Sequence, residues 1–209
     1  MQRIYNRLLN SMALCLNTLC SPWLTLHINK LKQMRRIKLY IASSLNGKIA
    51  RPNGSVEWLE KLPNPDKTDH GYAEFSDSID TTIQGGKTYR QIISWDIEFP
   101  YIGKTNYVLT RNQNMENNGH VEIITENPIE FFQDLKKQDG KDIWLIGGGQ
   151  LNTLFLNSGL IDEIRIFIMP IILPNGIELF EMLPEEKFLH LKATKEYSSG
   201  AVELVYGIT

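Results

Sequence analysis

From Arg36 onward, short apolar runs alternate with stretches whose apolar positions recur every three or four residues, the pattern of strands feeding helices. Residues 37–42 read as a first strand, and Ser43-Ser44-Leu45-Asn46-Gly47 as the turn that leaves it. Tyr72, Phe75 and Ile79 fall at helical spacing and predict a helix over 66–78. A short strand over 81–83 runs into Gly85-Gly86-Lys87-Thr88 and a helix marked by Tyr89, Ile92 and Ile93. Residues 105–109 and 121–125 read as further strands. Asn127 as cap, Pro128 in the first turn and Glu130 at capping-box spacing announce the next helix, with Ile129, Phe132 and Leu135 inward and Gly140 beyond its end. Ile143 to Ile146 form a continuous apolar run, expected of a strand covered on both faces. Three glycines follow it, then Leu151, Leu154 and Phe155 at helical spacing, with Gly159 as the stop. Residues 162–169, 188–192 and 201–207 close the pattern as strands.

Repeated strand–helix–strand units predict an α/β fold with a largely parallel sheet, and consecutive strands at the C-terminus predict an antiparallel edge. The chain has 209 residues, 42% hydrophobic, with a formal charge of −2, enough for one globular domain with a real core. Near-neutral charge without a basic stripe argues against a nucleic-acid binder and for a small-molecule ligand.

Cys15 and Cys20 have no His or Cys partners at metal-ligand spacing, so neither a zinc site nor a disulfide framework is expected, and a cytoplasmic setting is. Arg3 and Arg7 precede a moderately apolar run over 8–19 that has the look of a signal peptide. Asn10 and Asn17 interrupt it, no small-x-small cleavage site follows, and it is too short and polar to span a bilayer. The regular pattern begins only at Arg36, so residues 1–33 read as an extension and Met34 as the natural start.

Glycine at 147–149 removes the β-carbons, so that backbone can take unusual dihedrals and let a ligand approach the chain. The unpaired N–H groups at the following helix start would then face an anion. Tight strand-to-helix turns also use glycine for packing alone, and the dinucleotide fingerprint is not met, because its third glycine would fall on Asn152. Gly85-Gly86 is a second such exit, and in a parallel sheet both fall beyond the carboxyl ends of the strands, where ligands bind. Lys87 opens a helix, a position that suits lysine only with an anion beside it, and Arg111 ends the strand over 107–111. Two cations at neighbouring exits suit a 2′-phosphate, and so NADPH over NADH. No G-x-S-x-G elbow, H-E-x-x-H pair or Walker sequence is present.

Residues 36–208 resemble the dihydrofolate reductase-like family that includes the reductase domain of the bifunctional riboflavin-biosynthesis deaminase–reductase. The likeness is carried by Ile41-Ala42-Ser43-Ser44-Leu45-Asn46-Gly47-Lys48-Ile49-Ala50, Gly85-Gly86-Lys87-Thr88-Tyr89, Val108-Leu109-Thr110-Arg111 and Ile146-Gly147-Gly148-Gly149-Gln150-Leu151, in that order. It implies a three-layer αβα fold and a reductase holding NADPH across the strand ends. Gly85, Gly86, Lys87 and Thr88 would meet the phosphates, Thr110 and Arg111 the 2′-phosphate, and Ile146 to Leu151 the pyrophosphate. Ala42 and Ile49 would border the nicotinamide. The resemblance also implies a cis peptide at Gly147-Gly148.

Two departures bear on the substrate. Asn46 stands where many relatives have Asp, keeping the turn preference without the charge. The acid that anchors a pterin would fall near Asp69, with Glu74 as fallback, although an Asp there also suits a plain helix N-cap. Trp58 would form a lid over the reacting ring or pack a loop. The deaminase zinc signature does not occur. The resulting expectation is an NADPH-dependent reductase acting on a ribosylaminopyrimidine of riboflavin synthesis or on dihydrofolate. Its rivals are a nucleotide binder without turnover, and a homodimer using 164–173 as a sheet edge. No metal, nucleic-acid or membrane partner is expected.

Overall fold

A computed structural model describes residues 34–95, 97–183 and 185–208. The expected extension, 1–33, and the start at Met34 lie outside the described residues or at their margin. Among the described residues, ten strands and four helices follow in the order β1 (Ile37–Ser44), β2 (Lys48–Ala50), α1 (Tyr72–Asp77), β3 (Ile79–Gly85), α2 (Gly86–Ile93), β4 (Thr105–Leu109), β5 (Glu122–Ile124), α3 (Pro128–Lys136), β6 (Asp142–Gly147), α4 (Gly149–Asn157), β7 (Ile161–Met169), β8 (Ile177–Glu178), β9 (Leu189–Glu196) and β10 (Val202–Ile208).

Eight strands form one sheet in the order β5-β4-β3-β6-β1-β7-β10-β9. The first six run parallel, while β10 and β9 are antiparallel, giving the expected C-terminal edge. Alternation along the strands sends successive side chains to opposite faces. Ile37, Leu39, Ile83, Ile143 and Leu145 meet Phe132, Leu135, Leu151 and Phe155 of α3 and α4 in one core. Val108, Trp144, Tyr40 and Ile146 meet Phe75, Tyr89 and Ile92 of α1 and α2 in the other. Three layers result because each sheet face is apolar and needs its own cover.

Several expectations shift. The helix predicted over 66–78 begins only at Tyr72, because Lys67, His70 and Gly71 take φ of 48°, 55° and 80°, which breaks a right-handed helix. Asn127 does not cap α3 with its side chain; it sits at φ 45°, and no capping box forms. Leu154 is 38% exposed, whereas Asn152 and Leu156 are buried, so the inward face of α4 is turned from the predicted one. The segment 164–173 cannot be a sheet edge: β7 lies between β1 and β10, and core burial of Ile164, Ile166, Phe167 and Leu173 explains its apolar character. The pairing of β2 with β8 has no sequence signal, since two or three residues carry no periodicity.

Candidate functional site

Because β3 and β6 are parallel neighbours, with Gln84 opposite Gly147, both glycine exits open on the same rim of the sheet. They also touch. A β-carbon placed on Gly85 would lie 3.6 Å from the Gly147 carbonyl oxygen, 3.9 Å from the Gly148 nitrogen and 3.9 Å from Leu151 Cβ. One placed on Gly148 would lie 3.7 Å from Thr88 Oγ1 and 3.9 Å from Ile49 Cδ1. Ile49 of β2 and Gly85 and Thr88 of the β3–α2 exit therefore converge on the Gly147–Gly148 peptide, with Leu151 of α4 beside Gly85. That bond is cis, and Gly147 adopts φ 109°.

Two helices start at this point, α2 with Gly85 and α4 with Gly148 in the N-cap position. Neither has a side-chain cap, and neither carries an acid in its first turn. Their leading N–H groups and dipoles thus lack the usual compensation, the arrangement that suits an anion. Lys87 and Arg111 are exposed nearby and make no ion pair among the described residues, unlike Lys48, which is paired with Glu178. Gln150 is exposed in the first turn of α4, while Ile146 packs into the α1–α2 core.

The glycines differ in what their missing side chains make room for. At Gly86 the space is filled by Thr110 and Met115, and at Gly149 by the Glu178 carbonyl of β8. Those two serve packing. Gly148, like Gly85, would place a methyl group in ordinary contact range, so neither is required by packing alone. Thr110, besides packing on Gly86, accepts the Asn112 N–H at 3.1 Å.

The residues expected at the substrate end are mostly engaged by the protein. Asn46 Nδ2 donates to the Leu173 carbonyl at 2.8 Å, and its Oδ1 accepts the Leu173 N–H at 3.1 Å. An aspartate could not make the first bond and would set its charge against a carbonyl. Asn46→Asp is therefore expected to destabilise by about 1 kcal/mol, measured by urea unfolding at neutral pH. Asp69 is exposed and accepts the N–H groups of Ala73 and Gly71, each at 2.9 Å. Those two bonds hold its carboxyl below the usual range. The two bonds tie Asp69 to the start of α1 from two residues before its N-cap position, Gly71. Glu74 is exposed on α1. Trp58 is fully buried with its indole N–H unpartnered, so it packs inside, and its segment is pinned where Gln91 Nε2 donates to the Gly54 carbonyl at 2.6 Å.

One cluster escaped sequence reasoning. Tyr40 and Ala42 lie two apart on β1 and share a face, and Ala42 stands opposite Phe167 of β7, itself opposite Glu203 of β10. The rings of Tyr40 and Phe167 are 4.9 Å apart, and His70, Tyr197 and Ser199 close around them. Alternation placed Tyr40 beside Ala42, but nothing local linked either to residues 197–203.

A cavity of about 440 Å³ lies at the opposite rim around Arg35, Asp80, Lys104 and Thr105. Arg35 is already paired with Asp80, and Lys104 Nζ donates to the Ser76 and Ile79 carbonyls at 2.8 and 3.2 Å, so nothing there calls for a ligand. Among the described residues no cluster of His, Cys, Asp and Glu is placed to hold a metal, and no helix is long and apolar enough to cross a membrane.

Comparison with known proteins agrees with this architecture. Residues 101–202 match the RibD C-terminal domain. The uncharacterized protein YwjB of Bacillus subtilis (strain 168) is 39% identical over 172 residues, 82% of this chain and 97% of that protein. YyaP of the same organism, also uncharacterized, is 37% identical over 195 residues, 85% and 97% of the two chains. A crystal structure of a Shewanella sp. PV-4 protein assigned provisionally to riboflavin biosynthesis is similar at TM-score 0.76 and 26% identity, covering 83% of this chain and 99% of that one. The Thermotoga maritima diaminohydroxyphosphoribosylaminopyrimidine deaminase/5-amino-6-(5-phosphoribosylamino)uracil reductase shares the fold at TM-score 0.63 and 17% identity, over 85% of this chain and 58% of that one. With the sheet order, the paired glycine exits and these relatives together, the chain belongs to the RibD C-terminal domain family.

Proposed function

We propose that residues 36–208 form an NADPH-dependent reductase acting on a small heterocycle. The observation that carries this reading is the meeting of two helix starts without side-chain caps at the Gly147–Gly148 peptide, beside two cations that lack a protein counter-ion. A dinucleotide fits that set. Its pyrophosphate would lie against Gly148 and the first turn of α4, with Gly85, Gly86, Lys87 and Thr88 along one side. Arg111 and Thr110 would take the 2′-phosphate, and Ala42 and Ile49 would border the nicotinamide. The cofactor would supply the reducing equivalents; the chain would supply binding, alignment and a proton.

For the substrate we favour an aminopyrimidine of the 5-amino-6-(5-phosphoribosylamino)uracil type, the compound named for the Thermotoga relative. Dihydrofolate ranks second, because a pterin anchored by an acid needs a free carboxylate and Asp69 is occupied by two backbone N–H groups. The same occupancy favours the alternative of a nucleotide binder without turnover. The two are separated by assaying NADPH oxidation with aminopyrimidine and dihydropterin acceptors: the reductase reading expects turnover, whereas saturable binding with none supports the binder.

The charge assignment has its own test. Replacing Arg111 by Ala should weaken NADPH about tenfold, the loss of one charge-assisted contact, and leave NADH nearly unchanged. Nicotinamide fluorescence in parallel titrations measures both. Equal losses would remove the 2′-phosphate from Arg111.

A further inference from the structure

We propose that His70 is the residue that holds the proton for the substrate, with Ser199 positioning its ring. This rests on the reductase reading above and extends it to the acid–base partner, which neither the resemblance nor Asp69 provides. Reducing a C=N or C=O bond with NADPH adds two electrons and one hydrogen at carbon and leaves one proton to be delivered to the heteroatom. The donor must sit beside the proposed nicotinamide border, be reachable by a ligand, and be able to regain its proton.

His70 meets each requirement. Its ring packs edge-on against Phe167, at 6.4 Å between centroids, and Phe167 is the strand partner of Ala42, one strand spacing of about 4.8 Å away. The side chain is partly exposed, so ligand and solvent both reach it. Ser199 Oγ, itself buried and accepting the Ala201 N–H, lies 3.0 Å from Nε2. Nδ1 has no partner among the described residues. An imidazolium held at Nε2 can thus give a proton from Nδ1 to the substrate heteroatom, remain as neutral imidazole, and be reprotonated by solvent.

The backbone around it is fixed with more contacts than a surface loop needs. His70 has φ 55°, a conformation costly for a residue with a side chain. Its N–H donates to Thr68 Oγ1 at 3.1 Å, and the Tyr40 hydroxyl reaches its carbonyl at 3.3 Å. The Tyr197 hydroxyl donates to Glu203 Oε2 at 2.8 Å, with the His70 carbonyl at 3.2 Å as second acceptor. The Tyr197 ring lies 4.7 Å from the imidazole. Four segments converge to hold one histidine.

The charged and titratable groups facing it are Asp69 in the same loop, Tyr40 on β1, Arg165 on β7, Tyr197 with Lys195 over its ring, and Glu203 on β10. Burial pushes both tyrosines up, so they remain protonated across the range of interest. Arg165 and Glu203 are paired with each other.

The test is the pH dependence of kcat for NADPH oxidation with 5-amino-6-(5-phosphoribosylamino)uracil and with dihydrofolate, in wild type, His70→Phe and Ser199→Ala. Phe keeps the ring contacts and removes the proton. We expect kcat to fall about a hundredfold or more in His70→Phe, with NADPH affinity within twofold of wild type and the alkaline loss of wild-type activity absent. Ser199→Ala should move the midpoint of that alkaline limb while costing only a few-fold in kcat. His70→Gln serves if the Phe variant fails to bind NADPH, with the same expected loss. A kcat within threefold of wild type in either variant, or an unaltered alkaline limb, overturns the assignment of His70 alone. A wild-type chain inactive with both acceptors defeats the reductase reading and takes this assignment with it.

Discussion

Gly148→Ala is expected to fold with a stability within about 1 kcal/mol of wild type and to bind NADPH about ten- to a hundredfold more weakly, the loss of one or two hydrogen bonds to a charged phosphate. The separation of the two effects comes from local geometry. A methyl at Gly148 meets Thr88 and Ile49 at ordinary contact distance, and the residue has φ −83°, so the folded chain has room for it. That room is where the proposed phosphate comes closest to the backbone. Gly149→Ala is the opposite case: its methyl collides with the Glu178 carbonyl, so destabilisation should accompany any loss of binding. Thermal unfolding paired with NADPH fluorescence titration reads both quantities on the same samples. A Gly148→Ala chain that binds as wild type would place the phosphates elsewhere.

Asp142→Asn should cost about 3 kcal/mol of stability at neutral pH, the low end for removing one partner of a buried ion pair. Asp142 joins the start of β6 to β1: Lys38 Nζ lies 2.8 Å from its Oδ2, the Arg36 guanidinium 2.9 Å, and the Arg36 N–H donates to Oδ1 at 3.0 Å. Lys38 has a side chain only 10% exposed and would lose this partner. Glu163 stands opposite Lys38 in register, its carboxylate paired with Lys192 at 3.2 Å and 3.9 Å from Arg36. Burial alone would push the Asp142 carboxyl up. Lys38 and both Arg36 contacts outweigh burial and hold it below its ordinary value. A depressed carboxyl stabilises fully above the unfolded-state value of about 4 and loses that contribution as pH falls through the folded one. Chemical denaturation of both proteins between pH 3 and 7 should show the gap narrowing below about pH 4. A gap that persists unchanged in acid would assign the loss to shape instead of charge.

What the residue pattern disclosed was what short-range chemistry controls. The apolar run at 143–146 and the glycines after it fix a strand, an exit and a helix start, and parallel strands oblige two such exits to share a rim. Strand order was out of reach, because β6 inserts between β3 and β1 through contacts about 60 and about 100 residues away in sequence. The same reason hid Asn46, whose amide is matched to Leu173, and the grouping of His70 with Ser199 and Glu203. Asp69 illustrates a different limit. An acid before a helix suits both a ligand anchor and a cap, and only the backbone N–H groups of Gly71 and Ala73 distinguish them. Residues 66–71, expected to be helical, fall outside α1, because periodicity does not report positive φ at residues such as Lys67 and His70.

The central claim is that nucleotide phosphates settle at the Gly147–Gly148 rim, and amide chemical-shift mapping of the isotopically labelled chain during an NADPH titration tests it most directly. Saturable shifts are expected, largest at Gly86, Lys87, Gly148 and Gly149, with Arg111 following only when the 2′-phosphate is present. Silence at those amides, or shifts centred instead on Arg35, Lys104 and Thr105 across the sheet, would contradict it.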